Sequence, residues 1–191
     1  MKISITNSHR GLGLEIAKRF NYVVDGFDET SDVFINNRHN SFSQTELLME
    51  VFDKWKDTDK TIVNIISRSK YPNISKGYLY SASKAALSHL SNNLRLNSDK
   101  KCRIIDINPG LLESDLPSLK YREVVDAIEY CIYLPSHIEV GELSIWHKTP
   151  YNQISKMKDE RRRAPLPFQP APTRQSPAIM FVLAAGVVGV G

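Results

Sequence analysis

Tyr80 and Lys84 set a phenol and an amine four residues apart, in a segment from Tyr80 to Leu96 that reads as a helix. That interval stacks both side chains on one helical face. A lysine ammonium beside a phenol favours the phenolate and lowers its pKa, so such a tyrosine can give a proton to a substrate oxygen or take one from it. The same pair also fits an ordinary solvated helix face, so the elements that would position it decide between the two.

Thr61-Ile62-Val63-Asn64-Ile65-Ile66-Ser67-Arg68-Ser69 is apolar and rich in β-branched residues. It predicts a buried parallel strand that delivers Ser67 at its carboxyl end, where open α/β sheets bind ligands. Near the amino terminus a short strand, Lys2 to Ile5, runs into Thr6-Asn7-Ser8-His9-Arg10-Gly11-Leu12-Gly13 and then a helical pattern through Leu14, Ile16, Ala17 and Phe20. Strand, glycine turn and helix start are the context in which backbone N–H groups can cradle a pyrophosphate, though an isolated match also fits a plain tight turn between strand and helix. A further helix spans Gln44 to Trp55. A strand from Arg103 to Ile107, a helix from about Arg122 to Leu134 and a last strand from Glu142 to Trp146 complete the pattern.

These residues together resemble the short-chain dehydrogenase/reductase family, and the likeness covers most of residues 1–150. Thr6 to Gly13 matches that family's TGxxxGxG turn, with Asn7 in place of the first glycine. Asn36-Asn37 begins its NNAG motif, with Arg38-His39 replacing Ala-Gly. Ser67 lies thirteen positions before Tyr80, the usual separation of catalytic serine and tyrosine, and Tyr80 and Lys84 form YxxxK. Pro109-Gly110 with Ser114 resembles the PGxxxT segment at the nicotinamide end of the cofactor.

The resemblance implies an α/β, Rossmann-like, doubly wound parallel sheet with helices on both faces. It also implies an NAD(P)-dependent oxidoreductase acting on a small carbonyl or alcohol. Ser67 would orient the substrate oxygen, Tyr80 would transfer its proton, and Lys84 would depress the tyrosine pKa and hold the nicotinamide ribose. Thr6, Ser8, Arg10, Gly11, Leu12, Gly13, Asn36, Asn37, Pro109, Gly110 and Ser114 would hold NAD(P)(H).

The chain also departs from the family pattern. Only Asn21 to Ser31 separates Phe20 from Asp32, where the family spends a strand–helix–strand–helix stretch. There is room for one short strand, Tyr22 to Val24, and a loop, so the sheet should be reduced in strand number. Asp25 is the candidate for the adenosine ribose, while Arg10 could face a ribose 2′-phosphate, which leaves NAD against NADP open. The helix after NNAG carries no asparagine to serve the lysine, and Asn40 is the nearby substitute. The alternative reading is a non-catalytic Rossmann-like remnant that acts as a binding or interaction domain. NAD(P)-binding isomerases and epimerases also use YxxxK, but they carry a substrate domain that has no counterpart here.

Composition is that of an ordinary globular enzyme: 191 residues, 41% hydrophobic, 24% charged and a net charge of +4. Basic residues are scattered rather than massed, which argues against nucleic acid as a partner. Cys102 and Cys131 both fall in apolar patterns and read as buried thiols in a reducing compartment. With no signal peptide at the start, a cytoplasmic location is expected, and the Asn73-Ile74-Ser75 sequon is then coincidental. No metal-ligand cluster is apparent. The Leu/Phe/Trp stripe of the Gln44–Trp55 helix reads as core, though the family also uses that helix for dimer contact, so a homo-oligomer stays open. Residues 151–191 read as a tail: a charged run, then Ala164 to Pro177 with five prolines, then a fourteen-residue stretch, Ala178 to Gly191, without a charge. That composition predicts an extended or disordered segment, and the last stretch falls short of the about 20 residues a spanning helix needs.

Overall fold

The computed structural model describes residues 1–21, 23–72 and 77–163. The sequon, Tyr22 and the tail from Ala164 onward lie outside the described residues. In chain order the elements are β1 (Ile3–Ile5), α1 (Gly11–Arg19), β2 (Val23–Asp25), β3 (Val33–Asn36), α2 (Ser43–Trp55), β4 (Thr61–Ile65), a 3₁₀ turn (Arg68–Lys70), α3 (Tyr78–Asn97), β5 (Arg103–Pro109), α4 (Tyr121–Ile132), β6 (Glu142–Ile145) and α5 (Tyr151–Arg163).

All strand pairs are parallel, in the order β2-β1-β3-β4-β5-β6. The winding reverses between β1 and β3, and such a switch point opens a crevice at the carboxyl ends of the strands. Alternate strand residues serve opposite faces. Ile3, Ile5, Ile105 and Ile107 pack under Ile16 of α1 and Val124 and Ile128 of α4. Phe34, Ile62 and Ile104 face the other way, under Leu48, Val51 and Trp55 of α2 and Leu87 of α3. This is the doubly wound, Rossmann-like sheet with a reduced strand number.

The reduction is accommodated by one loop. Residues 26–32 lead from the end of β2 to the start of β3, which sits on the far side of β1. Phe27 in this loop packs its ring 5.2 Å from Phe34 and 5.4 Å from Trp55, and so covers apolar surface of the α2 face. Asp28 steadies the loop: it pairs with Lys2 at 2.6 Å and accepts a hydrogen bond from Thr30 N–H at 2.9 Å. Hydrogen bonds from Lys2 and then Thr30 hold its pKa down to about 2.

Residues 151–163 differ from the expected disordered tail, because they form α5. Pro150 begins the helix, with its carbonyl accepting from Gln153 N–H and Ile154 N–H. Arg161, Arg162 and Arg163 complement the carboxyl-terminal dipole. Ile154 is buried and anchors the helix, and Arg161 reaches Asp115 at 3.4 Å. Composition alone marks this stretch as solvated because Ile154 is the single buried residue among its described side chains. Cys102 and Cys131 are buried free thiols. Burial pushes Cys102 up to about 11 and raises Cys131 as well, which makes both poor nucleophiles. Among the described residues no helix is long and apolar enough to cross a membrane.

Candidate active site

A cavity of about 1060 Å³ lies at the carboxyl ends of the strands. Ser67, Tyr80 and Lys84 all border it, together with Arg10, Gly11, Leu12, Asn37, Pro109 and Gly110. Residues from five separate parts of the chain therefore meet at one place.

α3 carries the pair. Its buried face is built from Ser83, Lys84, Leu87, Ser88 and Ser91, so small hydroxyl residues let the helix lie close against the sheet. Tyr80 sits one turn before Lys84 and is 37% exposed, which leaves its hydroxyl end open to the cavity. The Lys84 ammonium lies 5.6 Å from the centre of the Tyr80 ring. Lys84 is 2% exposed, and burial alone pulls its pKa down to about 8. Ser67 follows β4, and its Oγ accepts from Ser69 N–H at 3.1 Å. That bond fixes the side chain and leaves the hydroxyl proton able to donate.

Gln44 completes the lysine's surroundings. Its Oε1 accepts from Lys84 Nζ at 2.6 Å, while Ile65 O accepts from the same ammonium at 2.7 Å. Gln44 Nε2 in turn donates to Asn36 O at 2.7 Å and to Ile65 O at 3.3 Å. The glutamine thus bridges the carbonyls at the ends of β3 and β4 and aims its own oxygen at the lysine. Asn40 does not take this part: it is exposed, and its carbonyl starts the turn into α2 by accepting from Ser43 N–H at 3.0 Å. His39, which replaces a glycine of the motif, sets its ring edge-on to Tyr80 with centroids 4.7 Å apart. Burial, and then the Lys84 charge, lower the His39 pKa, which favours the neutral imidazole beside the tyrosine.

The glycine turn is tightly specified. A Cβ on Gly13 would stand 1.9 Å from the carbonyl oxygen of Asn7, so only glycine lets α1 begin this close to β1. Asn7 has φ +66°, a left-handed conformation that asparagine tolerates better than most residues, which explains its presence where the motif has glycine. Thr6 Oγ1 accepts from Asn37 N–H at 2.9 Å and Arg38 N–H at 2.8 Å, tying the β3 end to the turn.

The remaining candidates lie elsewhere. Asn36 is fully buried and donates to Gln44 O at 2.8 Å and Asn64 Oδ1 at 3.2 Å, which makes it a support for the site. Asp25 turns into the glycine loop: its carboxylate accepts from Ser8 N–H at 2.8 Å and Ser8 Oγ at 2.9 Å and sits 3.3 Å from His9 Nε2. The Ser8 backbone bond, with these neighbours, holds it below the usual carboxylate range. Thr6, Ser8, Gly13, Asp25, Asn36 and Ser114 are not among the residues lining the cavity. Ser114 Oγ accepts from Leu116 N–H at 3.2 Å within its own loop.

A doubly wound parallel sheet with a serine, a tyrosine and a lysine around a crevice beside a glycine turn places the chain in the Rossmann-like α/β class. Sequence comparison narrows the class: the model of the short chain dehydrogenase family matches residues 27–123, and the chain belongs to that family. An uncharacterized oxidoreductase of Staphylococcus saprophyticus is 31% identical over 94 residues, 44% of this chain and 40% of that protein. A second, from Staphylococcus aureus, is 24% identical over 139 residues, 68% of this chain and 58% of its own length. The chain thus spans about half the length of these curated relatives. Among solved structures, serine dehydrogenase from Escherichia coli superposes with a TM-score of 0.64 at 18% identity, over 78% of this chain and 99% of that one. A 4-hydroxyisoleucine dehydrogenase complexed with NADH gives a TM-score of 0.60 at 20% identity, over 76% of this chain and 96% of that one. At these identities the likeness is one of fold.

Proposed function

We propose that the chain is an oxidoreductase domain that uses NADP(H) to interconvert a small carbonyl compound and its alcohol. The observation that carries this reading is the convergence of Ser67, Tyr80 and Lys84 on one cavity with the glycine turn. Gly11, Leu12 and Asn37 would hold the cofactor's pyrophosphate and Pro109-Gly110 its nicotinamide end. The close approach that glycine permits at position 13 is what such a cradle requires. The nicotinamide supplies the hydride, which no side chain can. Ser67 donates a hydrogen bond from its hydroxyl to the substrate oxygen and fixes its place, keeping its own proton. Tyr80 gives that oxygen its proton in the reducing direction and takes it back in the oxidising one. Lys84 stabilises the phenolate that results.

NADP(H) is preferred over NAD(H) on the state of two side chains. Asp25, the candidate for a ribose 2′-hydroxyl, is already bonded to Ser8 and His9. Arg10 borders the cavity and makes no ion pair among the described residues, which suits a 2′-phosphate. The engaged Asp25 also favours a second reading, a binding domain whose adenosine site is lost.

Titration with NADPH and NADH, followed by nicotinamide fluorescence, tests both readings. The enzyme reading expects NADPH to bind at micromolar levels and NADH more weakly. Absence of binding by either below millimolar concentration rejects it in favour of the binding domain. With cofactor bound, Tyr80→Phe should reduce turnover about 10²–10⁴-fold and leave affinity for NADPH unchanged.

A further inference from the structure

The cavity is lined by cations without a carboxylate to balance them. Arg10, Arg68, Lys84 and Lys158 border it, and no aspartate or glutamate is among its described lining residues. Arg10 and Lys84 have parts assigned above; Arg68 and Lys158 do not.

Arg68 comes directly after Ser67, so the chain places it beside the proposed reacting group on the same cavity. Its guanidinium carbon lies 4.2 Å from the centre of the Trp146 ring. Stacking on an aromatic face holds the planar guanidinium while its N–H edges stay available for a bidentate acceptor. Trp146 is itself seated on the loop at the nicotinamide end, since a Cβ on Gly110 would stand 2.8 Å from the tryptophan Cβ. The nearby carboxylate is taken: Glu142 pairs at 2.5 Å with Lys70, in the same 3₁₀ turn as Arg68. Arg68 has no ion pair among the described residues, and neither has Lys158, which reaches the cavity from α5. A cation stacked in place beside the reacting groups and left without a counter-charge matches an anionic group on the substrate.

We infer that Arg68, stacked on Trp146 and assisted by Lys158, is a carboxylate-binding subsite, and that the substrate is an oxo acid or hydroxy acid. This rests on the oxidoreductase reading for the position of the reacting carbon, while the anion site itself stands on Arg68 and Trp146.

The test compares 4-oxopentanoate with its neutral isostere 4-oxopentanamide, by isothermal titration calorimetry on the full chain with and without NADP⁺. The acid should bind at least about tenfold more tightly than the amide, the usual worth of a hydrogen-bonded charge. Arg68→Met should erase the preference and Lys158→Met should reduce it, with NADPH affinity unchanged in both. Equal binding of acid and amide, including no detectable binding of either, overturns the inference. So does a preference that survives Arg68→Met, or an Arg68→Met protein whose main defect is in NADPH binding. A preference for the acid in a protein that binds neither NADPH nor NADH keeps the subsite and rejects the oxidoreductase reading.

Discussion

Lys84 Nζ lies 2.6 Å from Gln44 Oε1, and the buried ammonium is held by two neutral oxygens, those of Gln44 and Ile65. No carboxylate pairs with it among the described residues. Burial therefore acts on its charge unopposed, which is why its pKa falls to about 8. The lysine can lose its charge within an ordinary working range of pH, and the part proposed for it beside Tyr80 would be weakened when it does.

Gln44→Glu is the direct check. A carboxylate at that position favours the charged lysine, so the pKa of Lys84 rises and the basic limb of the pH–rate profile moves to higher pH. Gln44→Met removes the bond altogether and should lower turnover about tenfold to a hundredfold, the worth of a hydrogen bond to a charged group. Profiles of the two variants measured from pH 6 to 10 would show opposite effects; identical profiles would mean that Gln44 only packs.

Lys84 also makes stability depend on pH. Its folded pKa of about 8 lies below its ordinary value of 10.5. Between those limits the unfolded chain binds the proton and the folded chain does not, so stability rises with pH across that window. Below pH 8 the lysine is charged in both states and the burial penalty is fully present. Urea unfolding of the parent and of Lys84→Met, at pH 7.5 and at pH 10, should show the parent gaining relative to the variant at the higher pH.

Gly13→Ala and Gly26→Ala separate close approach from backbone strain. The first forces a Cβ into the Asn7 carbonyl, which is backbone and cannot swing aside. It should cost about 3 kcal/mol or more and abolish NADPH binding. Gly26 has φ +87° with nothing within 4 Å of a Cβ, so its substitution should cost about 1–2 kcal/mol and leave cofactor binding intact. Chemical denaturation and nicotinamide fluorescence report the two quantities.

Phe27→Ala should lower stability by about 2 kcal/mol, since a half-buried aromatic plug contributes less than a fully enclosed one. The site lies at the carboxyl ends of the strands, so kcat/KM below the melting range should hold. A large loss of activity at full folding would show that the loop also shapes the cavity.

Much of this architecture is legible in the chain. The β-branched run ending at Ser67 and the interval from Tyr80 to Lys84 announce themselves through local periodicity, and the elements fall close to their expected bounds. The short Asn21–Ser31 interval likewise reveals the shortened sheet. Gln44 is hidden because a glutamine in a helix's first turn looks solvated; its role depends on β3 and β4 ending side by side beneath it. Asp25 is legible only in part for a related reason: its place after a strand is visible in the chain, whereas the hydrogen bond it accepts from Ser8 N–H depends on how the glycine loop folds. His39 and Trp146 reach the site through tertiary packing that no spacing rule describes. α5 is concealed by its charge.

The seven residues 26–32 bear on how the molecule folds as well as on its shape. β1 pairs with both β2 and β3, and Ile3 stands opposite Val33, only thirty positions along the chain. Each halving of a closed loop spares about 0.6 kcal/mol of chain entropy, so trimming the crossover makes this central pairing more local. Contacts close in sequence form sooner. The amino-terminal three strands are thereby suited to be the nucleus on which the rest of the sheet assembles, and the glycine turn would be in place before Tyr80 and Lys84 arrive.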